Sequence, residues 1–294
     1  MQAPPDPSLV DQFRALRESA GGLWLHDRAV ITVRGDDRLT WLNGVVTADL
    51  RPLPAQHGIY TAIVAVKGKL LGDAFVHRAD DALRVVVPAA QREALMAHFE
   101  RFIVMEDVAL EATPERVFTV QGPAALAATE AWAGRSTADR LGRGGVDVLV
   151  DEGGDAPSAD GVTPVSREAF DAASVAQGRP RWGADFGLDN YVQEAAITER
   201  AVSFQKGCYL GQEVVCRLEM RGHVQRQLAS LTQAGKIPEV GAEVTVEGKV
   251  VGRVTGTAPP MDGGPARLLA MVKYAVLEKR PSLEIDGAPA DWAT

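Results

Sequence analysis

The stretch KGCYLGQEVVCR, residues 206–217, holds both cysteines of this 294-residue chain. Glycines flank the first cysteine, which is typical of a turn. The second half has apolar residues at helical spacing, with Gln212 and Glu213 suited to a first turn and Gly222 suited to the position that ends a helix. A strand is the alternative, but the pattern favours a turn followed by a helix over residues 212–220.

The two cysteines do not have the spacing of a metal site. Cluster-binding cysteines usually number four and lie at short spacings such as C-x₂-C. Here seven residues separate Cys208 from Cys216, and His223 is the one histidine nearby in the sequence. A self-contained metal or iron–sulfur site is therefore not expected.

The surroundings of the two thiols differ. Cys216 has apolar neighbours such as Met220 on either a helix or a strand, so it is interpreted as a packing residue. Cys208 lies in the turn, close to a predicted helix N-terminus and to Lys206, and such surroundings favour the thiolate. We therefore take Cys208 as the candidate reactive residue, with an exposed cysteine that has no function as the alternative.

Composition limits the class of protein. The chain is 46% hydrophobic and 24% charged, which is typical of globular domains. Two cysteines exclude a disulfide framework and favour a reducing, cytoplasmic location. The first residues have no apolar signal segment, and no apolar run approaches the length of a membrane span. A net charge of −8 argues against direct, strong nucleic-acid binding, which draws on a basic surface.

The order of patterns predicts an α+β body followed by a small β-barrel. Helices are predicted at residues 10–19, 38–42 (ended by Gly44), 91–102, an alanine-rich stretch to about 132, and 167–177; strands are predicted at 29–34, 58–66, 70–77, 83–87 and 117–120. From residue 224 the chain changes to short alternating segments with Gly and Pro between them. The predicted domains are therefore 1–221 and 222–294.

The segment KGCYLGQE, residues 206–213, resembles the K-G-C-Y-x-G-Q-E signature of the YgfZ-like folate-binding proteins, relatives of the glycine-cleavage T-protein (aminomethyltransferase). Three other segments agree in order. WLNGVVTAD at 41–49 is similar to the family's L-N-G-x-x-T-x-D, KGK at 67–69 falls at its glycine turn, and GRPRWGAD at 178–185 resembles its G-x-P-x-x-G-x-D run. The resemblance spans nearly the whole chain.

The resemblance implies a three-domain fold around a central folate-binding cavity. A discontinuous α/β folate-binding domain and a ferredoxin-like domain would interleave within residues 1–221, and a β-barrel would occupy 222–294. It also implies a role in iron–sulfur cluster assembly or repair and, through cluster enzymes, in tRNA modification. Tetrahydrofolate or a derivative is the expected cofactor, no tightly bound metal is expected, and iron–sulfur client or assembly proteins are the expected transient partners.

The predicted site residues fall into two groups. The functional thiol and its loop comprise Lys206, Gly207, Cys208, Tyr209, Gly211, Gln212 and Glu213. Carboxylates suit the donor edge of a pterin, and basic side chains suit the glutamate tail of a folate. The folate-binding candidates are Asn43, Thr47, Asp49, Lys67, Asp73, Asp185, Glu194 and Arg217. Asn43 as an ordinary helix end and Asp49 as a solvated loop residue are the alternatives.

Two positions depart from the aminomethyltransferase pattern. Its R-x-E-x-G run aligns on Gly178 and places Ala176 at the pterin carboxylate, which would shift that task to Glu194, Asp185 or Gln177. Its G-G-x-x-D-D run keeps Asp73, which has a hairpin surface position as its alternative interpretation, but has Gly72 beside it. A non-enzymatic accessory role is therefore expected, with a tetrahydrofolate-dependent aminomethyl- or methyltransferase as the alternative.

Overall fold

A computed structural model describes residues 7–79, 81–220, 222–260 and 263–293. The helices are α1 (Leu9–Glu18), α2 (Arg38–Val45), α3 (Arg92–Glu100), α4 (Ala125–Ala128), α5 (Arg167–Ala176), α6 (Thr198–Ala201), α7 (Gln212–Met220) and α8 (Tyr274–Lys279). A 3₁₀ turn, Ala89–Gln91, precedes α3. None of the described helices has the length and apolar character needed to cross a membrane.

The strands are β1 (Gly21–Trp24), β2 (Arg28–Arg34), β3 (Gly58–Val64), β4 (Leu70–Arg78), β5 (Leu83–Pro88), β6 (Ala109–Thr113), β7 (Arg116–Gln121), β8 (Arg135–Thr137), β9 (Gly145–Val150), β10 (Thr163–Pro164), β11 (Arg226–Gln233), β12 (Glu243–Val246), β13 (Lys249–Ala258), β14 (Ala266–Lys273), β15 (Leu283–Ile285) and β16 (Ala288–Trp292). They form a five-stranded sheet in the order β10-β1-β7-β9-β8, a second one in the order β3-β4-β5-β2-β6, and a closed barrel in the order β11-β14-β13-β12-β15-β16.

Backbone contacts divide the chain into two compact units, each made of separated segments. The first unit comprises residues 1–43, 50–60 and 74–173. The second unit comprises residues 44–49, 61–73 and 174–294. The signature loop, the segment that follows Asn43 and the hairpin turn at KGK thus contribute to the same unit, which also contains the barrel strands.

The barrel closes around a core of buried aliphatic side chains, which include Leu231, Val244, Val254 and Leu268. Alternating burial along β11 and β13 is the period-2 pattern that predicted these strands. The predicted segments did not include β16, whose sequence APADW contains a proline and has weak strand propensity. Its pairing with β15 and β11 makes it a strand and closes the barrel.

The prediction of the helices was correct for α1, α3, α5 and α7 to within a few residues. It was wrong at two helix ends. Gly44 lies inside α2, which continues to Val45. The alanine-rich helix is only one turn long, Ala125–Ala128. Alanine favours a helix everywhere, so its run cannot indicate where tertiary contacts end the helix.

Candidate functional site

The signature loop, residues 206–211, exposes Gly207 and Cys208 and buries Lys206 and Tyr209. Cys208 is exposed, as the turn predicted. Lys206 and Tyr209 are each only 6% exposed. A buried lysine requires hydrogen-bond partners, because an unpaired ammonium group is strongly destabilised away from water. The buried residues therefore anchor the loop to the interior, while its thiol faces solvent.

Lys206 anchors the loop to residues 44–48. Its Nζ donates hydrogen bonds to the carbonyl oxygens of Val46 at 2.9 Å and Ala48 at 2.6 Å. The backbone N–H of Leu210 donates to the carbonyl oxygen of Gly44 at 3.0 Å. The sequence predicted that this lysine would act on the Cys208 thiol, but its ammonium group lies in the interior on backbone carbonyls. These contacts position the loop.

The two glycines that flank Cys208 have different physical roles. Gly211 has a left-handed φ of +78°, and a Cβ at this position would lie 2.6 Å from the carbonyl oxygen of Ala65. Only glycine fits there without strain. A Cβ at Gly207 would have no neighbour within 4 Å among the described residues. Gly211 thus fixes the turn, whereas Gly207 leaves open space beside the exposed thiol.

Helix α7 begins at Gln212 and ends at Met220, as predicted. It buries Val215, and Cys216 is half-buried on the same helix. Burial and then the nearby charge of Glu219 raise the pKa of the Cys216 thiol. Met220 is 76% exposed, so it does not provide the apolar surroundings that the sequence predicted for Cys216. Cys216 is a partly buried thiol whose reactive thiolate is disfavoured.

Tyr209 fills the interior beneath the loop. The ammonium group of Lys206 lies 5.1 Å from its ring centroid, within cation–π range. Burial and then the neighbouring Cys216 thiolate raise the pKa of Tyr209 above its usual value. Its hydroxyl group is buried and accepts or donates no hydrogen bond among the described residues. The ring of Tyr209 therefore packs between the loop and α7.

The L-N-G-x-x-T-x-D segment supplies internal hydrogen bonds. The hydroxyl of Thr47 is fully buried and donates to the carbonyl oxygen of Ala201 at 2.5 Å. Asn43 is half-buried in the last turn of α2, and its Oδ1 accepts from the backbone N–H of Leu50 at 2.8 Å. Asp49 is half-buried rather than a solvated loop residue. Thr47 and Asn43 therefore hold the backbone around this segment.

The KGK hairpin turn lies against α7. Gly68 has a φ of +76°, and a Cβ there would lie 2.7 Å from Cγ1 of Val214. Lys67 is exposed. The Nζ of Lys69 donates to the carbonyl oxygen of Asp189 at 2.5 Å and lies 3.8 Å from the ring centroid of Tyr191. The turn therefore contributes one exposed cation and one cation that is engaged within the protein.

The side chain of Glu194 is only 7% exposed, and its carboxylate has several partners. It accepts hydrogen bonds from the backbone N–H of Tyr191 at 3.1 Å and the Nδ2 of Asn190 at 3.3 Å. Lys69 and Arg226 form ion pairs with it at 3.9 Å and 3.7 Å. These contacts join the hairpin turn to the first barrel strand.

Both carboxylate oxygens of Asp185 also have hydrogen-bond partners. Its Oδ2 accepts from the backbone N–H and the Nε of Arg181 at 2.9 Å and 2.8 Å. Its Oδ1 accepts from the hydroxyl of Thr255 at 2.7 Å. Both acidic side chains that the sequence offered as replacements for a pterin carboxylate thus stabilise the fold of the second unit.

The remaining predicted positions are placed as follows. Asp73 is 3% exposed on β4, so its interpretation as a hairpin surface residue is wrong. Ala176 is the last residue of α5 and is half-buried, as is Gln177. Arg217 and Glu213 are exposed on α7. Among the described residues, no group of three or more His, Cys, Asp or Glu is close enough to hold a metal ion.

Sequence reasoning missed a buried charged cluster in the first unit. Asp147 accepts hydrogen bonds from Arg140 at 2.5 Å and from the Nε2 of His77 at 3.2 Å. Burial favours the protonated acid, but the charge of Arg140 and the hydrogen bonds from both partners hold the pKa of Asp147 well below its usual value. Seventy residues separate His77 from Asp147, and no motif links them.

Comparisons with known proteins agree with this architecture. The family model described as the GCVT N-terminal domain matches residues 4–141. The tRNA-modifying protein YgfZ of Enterobacter sp. (strain 638) is 29% identical over 274 residues, which cover 84% of this chain and 83% of that protein. The protein of the same name from Escherichia coli O157:H7 is 27% identical over 263 residues, which cover 79% of this chain and 78% of that protein.

A solved structure shows the same fold. The glycine cleavage system aminomethyltransferase T from Bartonella henselae superposes with a TM-score of 0.83, covers 98% of this chain and 88% of its own, and is 18% identical. The likeness to this structure shows the fold. Together, the family model, the two relatives and the shared fold support a YgfZ-like member of the glycine-cleavage T-protein superfamily.

Proposed function

We propose that this protein is a folate-binding accessory factor that supports iron–sulfur cluster assembly or repair and, through cluster enzymes, tRNA modification. The observation that carries the proposal is the exposed Cys208 on a loop whose neighbouring residues, Lys206 and Tyr209, are buried. The relatives named as tRNA-modifying proteins support the same biological setting. A reducing, cytoplasmic location suits a working thiol.

The loop suits a transient encounter with a protein or a cluster. A thiolate is both the metal-binding and the nucleophilic form of cysteine. The anchoring of the loop by Lys206 and Gly211 lowers the conformational entropy lost when a partner contacts the thiol. The open space at Gly207 gives such a partner room to approach. Cys208 is therefore the proposed functional thiol, and iron–sulfur client or assembly proteins are the proposed partners.

The proposed effect on tRNA is indirect. A protein that gripped a polynucleotide would need a basic surface to neutralise its phosphates. This chain carries 39 acidic residues against 31 basic ones, a net charge of −8. We therefore assign the tRNA effect to the activity of cluster-containing enzymes that this protein supports.

A methylene-transfer activity has weaker support. The resemblance places Ala176 and Gly72 where the aminomethyltransferase pattern has carboxylates, and the likeness in fold does not supply them. Asp73 remains in the pattern, buried on β4. A steady-state assay with tetrahydrofolate and an aminomethyl donor tests this activity directly, and turnover that disappears in Asp73→Asn would establish the alternative.

The proposal is tested by complementation with a matched pair of cysteine variants. In cells that lack their own YgfZ-like protein, Cys208→Ala should fail to restore the activity of an iron–sulfur enzyme and the level of modified tRNA. Cys216→Ala should restore both, because Cys216 is half-buried on α7. Full rescue by Cys208→Ala at normal protein level would refute the thiol role.

A further inference from the structure

The segment that follows α3 in the first unit exposes two adjacent apolar side chains. Val104 is 80% exposed and Met105 is 94% exposed, the highest values among the large apolar side chains of the described residues. Single exposed apolar residues are common on protein surfaces. Two adjacent ones on a rigid backbone are the kind of anchor on which protein interfaces are centred. We call Val104 and Met105 the apolar tip.

Two side chains hold the backbone of the apolar tip. The Oε2 of Glu106 accepts hydrogen bonds from the backbone N–H of Val104 at 2.8 Å and of Met105 at 3.0 Å. These hydrogen bonds, that of Val104 first, lower the pKa of Glu106, so its carboxylate is ionised at neutral pH. On the other side of the tip, the indole Nε1 of the buried Trp41 donates to the carbonyl oxygen of Phe102 at 2.8 Å.

Further contacts connect the apolar tip to the turn before α2. The Oδ2 of Asp37 accepts from the backbone N–H of Asp107 at 2.8 Å, and the Oδ2 of Asp107 accepts from the backbone N–H of Asp36 at 2.9 Å. Gly35 has a φ of +101°, and a Cβ there would lie 1.9 Å from the carbonyl oxygen of Asp107. Only glycine allows the two segments to approach so closely. The loop that carries the tip is therefore pre-formed.

Carboxylates lie beside the apolar tip. Four acidic side chains of these two segments are exposed: Asp36, Asp37, Glu106 and Asp107. The same segments, residues 35–38 and 101–107, carry two basic residues, Arg38 and Arg101. The guanidinium group of Arg38 donates to the carbonyl oxygen of Gly35 at 2.7 Å, so it is engaged within the turn. The rim of the tip is therefore net negative, and its complement is an apolar pocket bordered by Lys or Arg.

The charge of this surface distinguishes between classes of partner. A polynucleotide and the anionic leaflet of a membrane are both negative, so carboxylates would repel each of them. A second copy of this chain, docked about a twofold axis, would bring the same carboxylates face to face. A different protein with a basic rim avoids this repulsion.

We propose that the apolar tip is a docking surface for another protein, whose apolar pocket, rimmed by Lys or Arg, receives the side chains of Val104 and Met105. The pre-formed loop lowers the conformational entropy lost on binding. This surface is independent of the proposed function, because its residues belong to the first unit and Cys208 belongs to the second.

Site-specific photo-crosslinking in living cells identifies the partner. An amino acid that carries benzophenone replaces Met105 in the full chain. The control carries the same amino acid in place of Val240, which is 64% exposed in the second unit. Irradiation should give a protein adduct at position 105 that is missing at position 240, and mass spectrometry identifies the adduct.

The identified protein is then purified and titrated calorimetrically with the full chain. Met105→Ser should weaken binding roughly tenfold or more, because it removes a central apolar anchor. Val104→Ser should weaken it by a smaller factor, because the side chain is smaller. Val240→Ser should leave binding unchanged. All three positions are exposed, so the variants should keep the thermal unfolding temperature of the original protein.

Asp36→Asn tests the charged rim. Asp36 contributes its backbone N–H to the loop, which asparagine retains, so this substitution removes a charge and keeps the hydrogen bond. Association with the partner should slow several-fold at low salt, and the difference from the original protein should shrink as salt is added.

Slower association of Asp36→Asn together with loss of affinity in Met105→Ser would establish the docking surface. The proposal is wrong if position 105 gives no protein adduct beyond that at position 240, or if the adduct is a second copy of this chain, a lipid or a nucleic acid. It is equally wrong if the purified partner binds Met105→Ser as tightly as the original protein. An unchanged association rate for Asp36→Asn at low salt would overturn the basic rim.

Discussion

The signature loop of the second unit and the Asp147 cluster of the first unit are both built on a buried charged side chain, but they use it differently. In the cluster, Asp147 contacts both Arg140 and His77, and each of the three side chains is at most 9% exposed. In the loop, the buried Lys206 holds backbone carbonyls, and the exposed group is its neighbour Cys208. A buried charge stabilises the fold in the first case and positions a solvent-facing thiol in the second.

Asp147→Asn should produce the largest loss of stability. It leaves the Arg140 guanidinium buried without its carboxylate partner, which typically costs about 3–5 kcal/mol. Urea unfolding followed by circular dichroism measures the change. Glu152→Gln, at an exposed position in the same unit, should leave the transition unchanged. A loss below about 1 kcal/mol for Asp147→Asn would mean that the cluster is not a structural element.

Gly211→Ala should destabilise by about 2–4 kcal/mol, since an alanine would adopt a left-handed φ and its Cβ would approach the Ala65 carbonyl oxygen. Gly207→Ala is the matched control on the other side of Cys208. Its Cβ meets open space, so its unfolding transition should shift by less than about 0.5 kcal/mol. Equal effects of the two alanines on the urea midpoint would contradict the different roles assigned to these glycines.

Lys206→Met should cost about 1–3 kcal/mol, because it leaves the carbonyl oxygens of Val46 and Ala48 without their donor. The effect should be local: hydrogen exchange of the Leu210 amide should accelerate more than exchange in the barrel strands. Lys236→Met, at an exposed position in the same unit, serves as the control. Unchanged exchange at Leu210 would show that Lys206 does not anchor the loop.

The smallest expected effect is the difference in labelling rate between the two thiols. Alkylation with iodoacetamide requires the thiolate, and burial and Glu219 raise the pKa of Cys216. Near neutral pH, Cys216 should therefore be labelled about tenfold or more slowly than the exposed Cys208. Raising the pH should narrow the gap, because the thiolate fraction of Cys216 increases as the pH approaches its raised pKa. Mass spectrometry of peptides locates the label, and faster labelling of Cys216 would reverse the assignment.

Local patterns predicted the elements around the site well. The turn before α7, the start and end of that helix and the exposure of Cys208 follow from residues within a few positions of one another. The same holds for the hairpin at Gly68, where a left-handed glycine defines the turn. Local geometry and hydrogen bonding fix such features, so the sequence indicates them directly.

Long-range contacts could not be predicted in this way. The sequence placed Lys206 beside the thiol, yet its partners Val46 and Ala48 lie about 160 residues earlier in the chain. It offered Glu194 and Asp185 as ligand carboxylates, yet Arg226 and Thr255 engage them from the barrel strands. The final barrel strand, β16, becomes a strand because β11 and β15 pair with it.

Residues within a few positions of one another are enough to place one cysteine in a solvent-facing, glycine-flanked turn at a helix start and the other on the helix. Which charged groups are buried and engaged, and which stay exposed, depends on the tertiary structure. The physical reason is that burial and hydrogen-bond partners are properties of residues brought together from distant parts of the chain. A side chain's neighbours along the sequence set its conformation, whereas its neighbours in space set its charge and its chemistry.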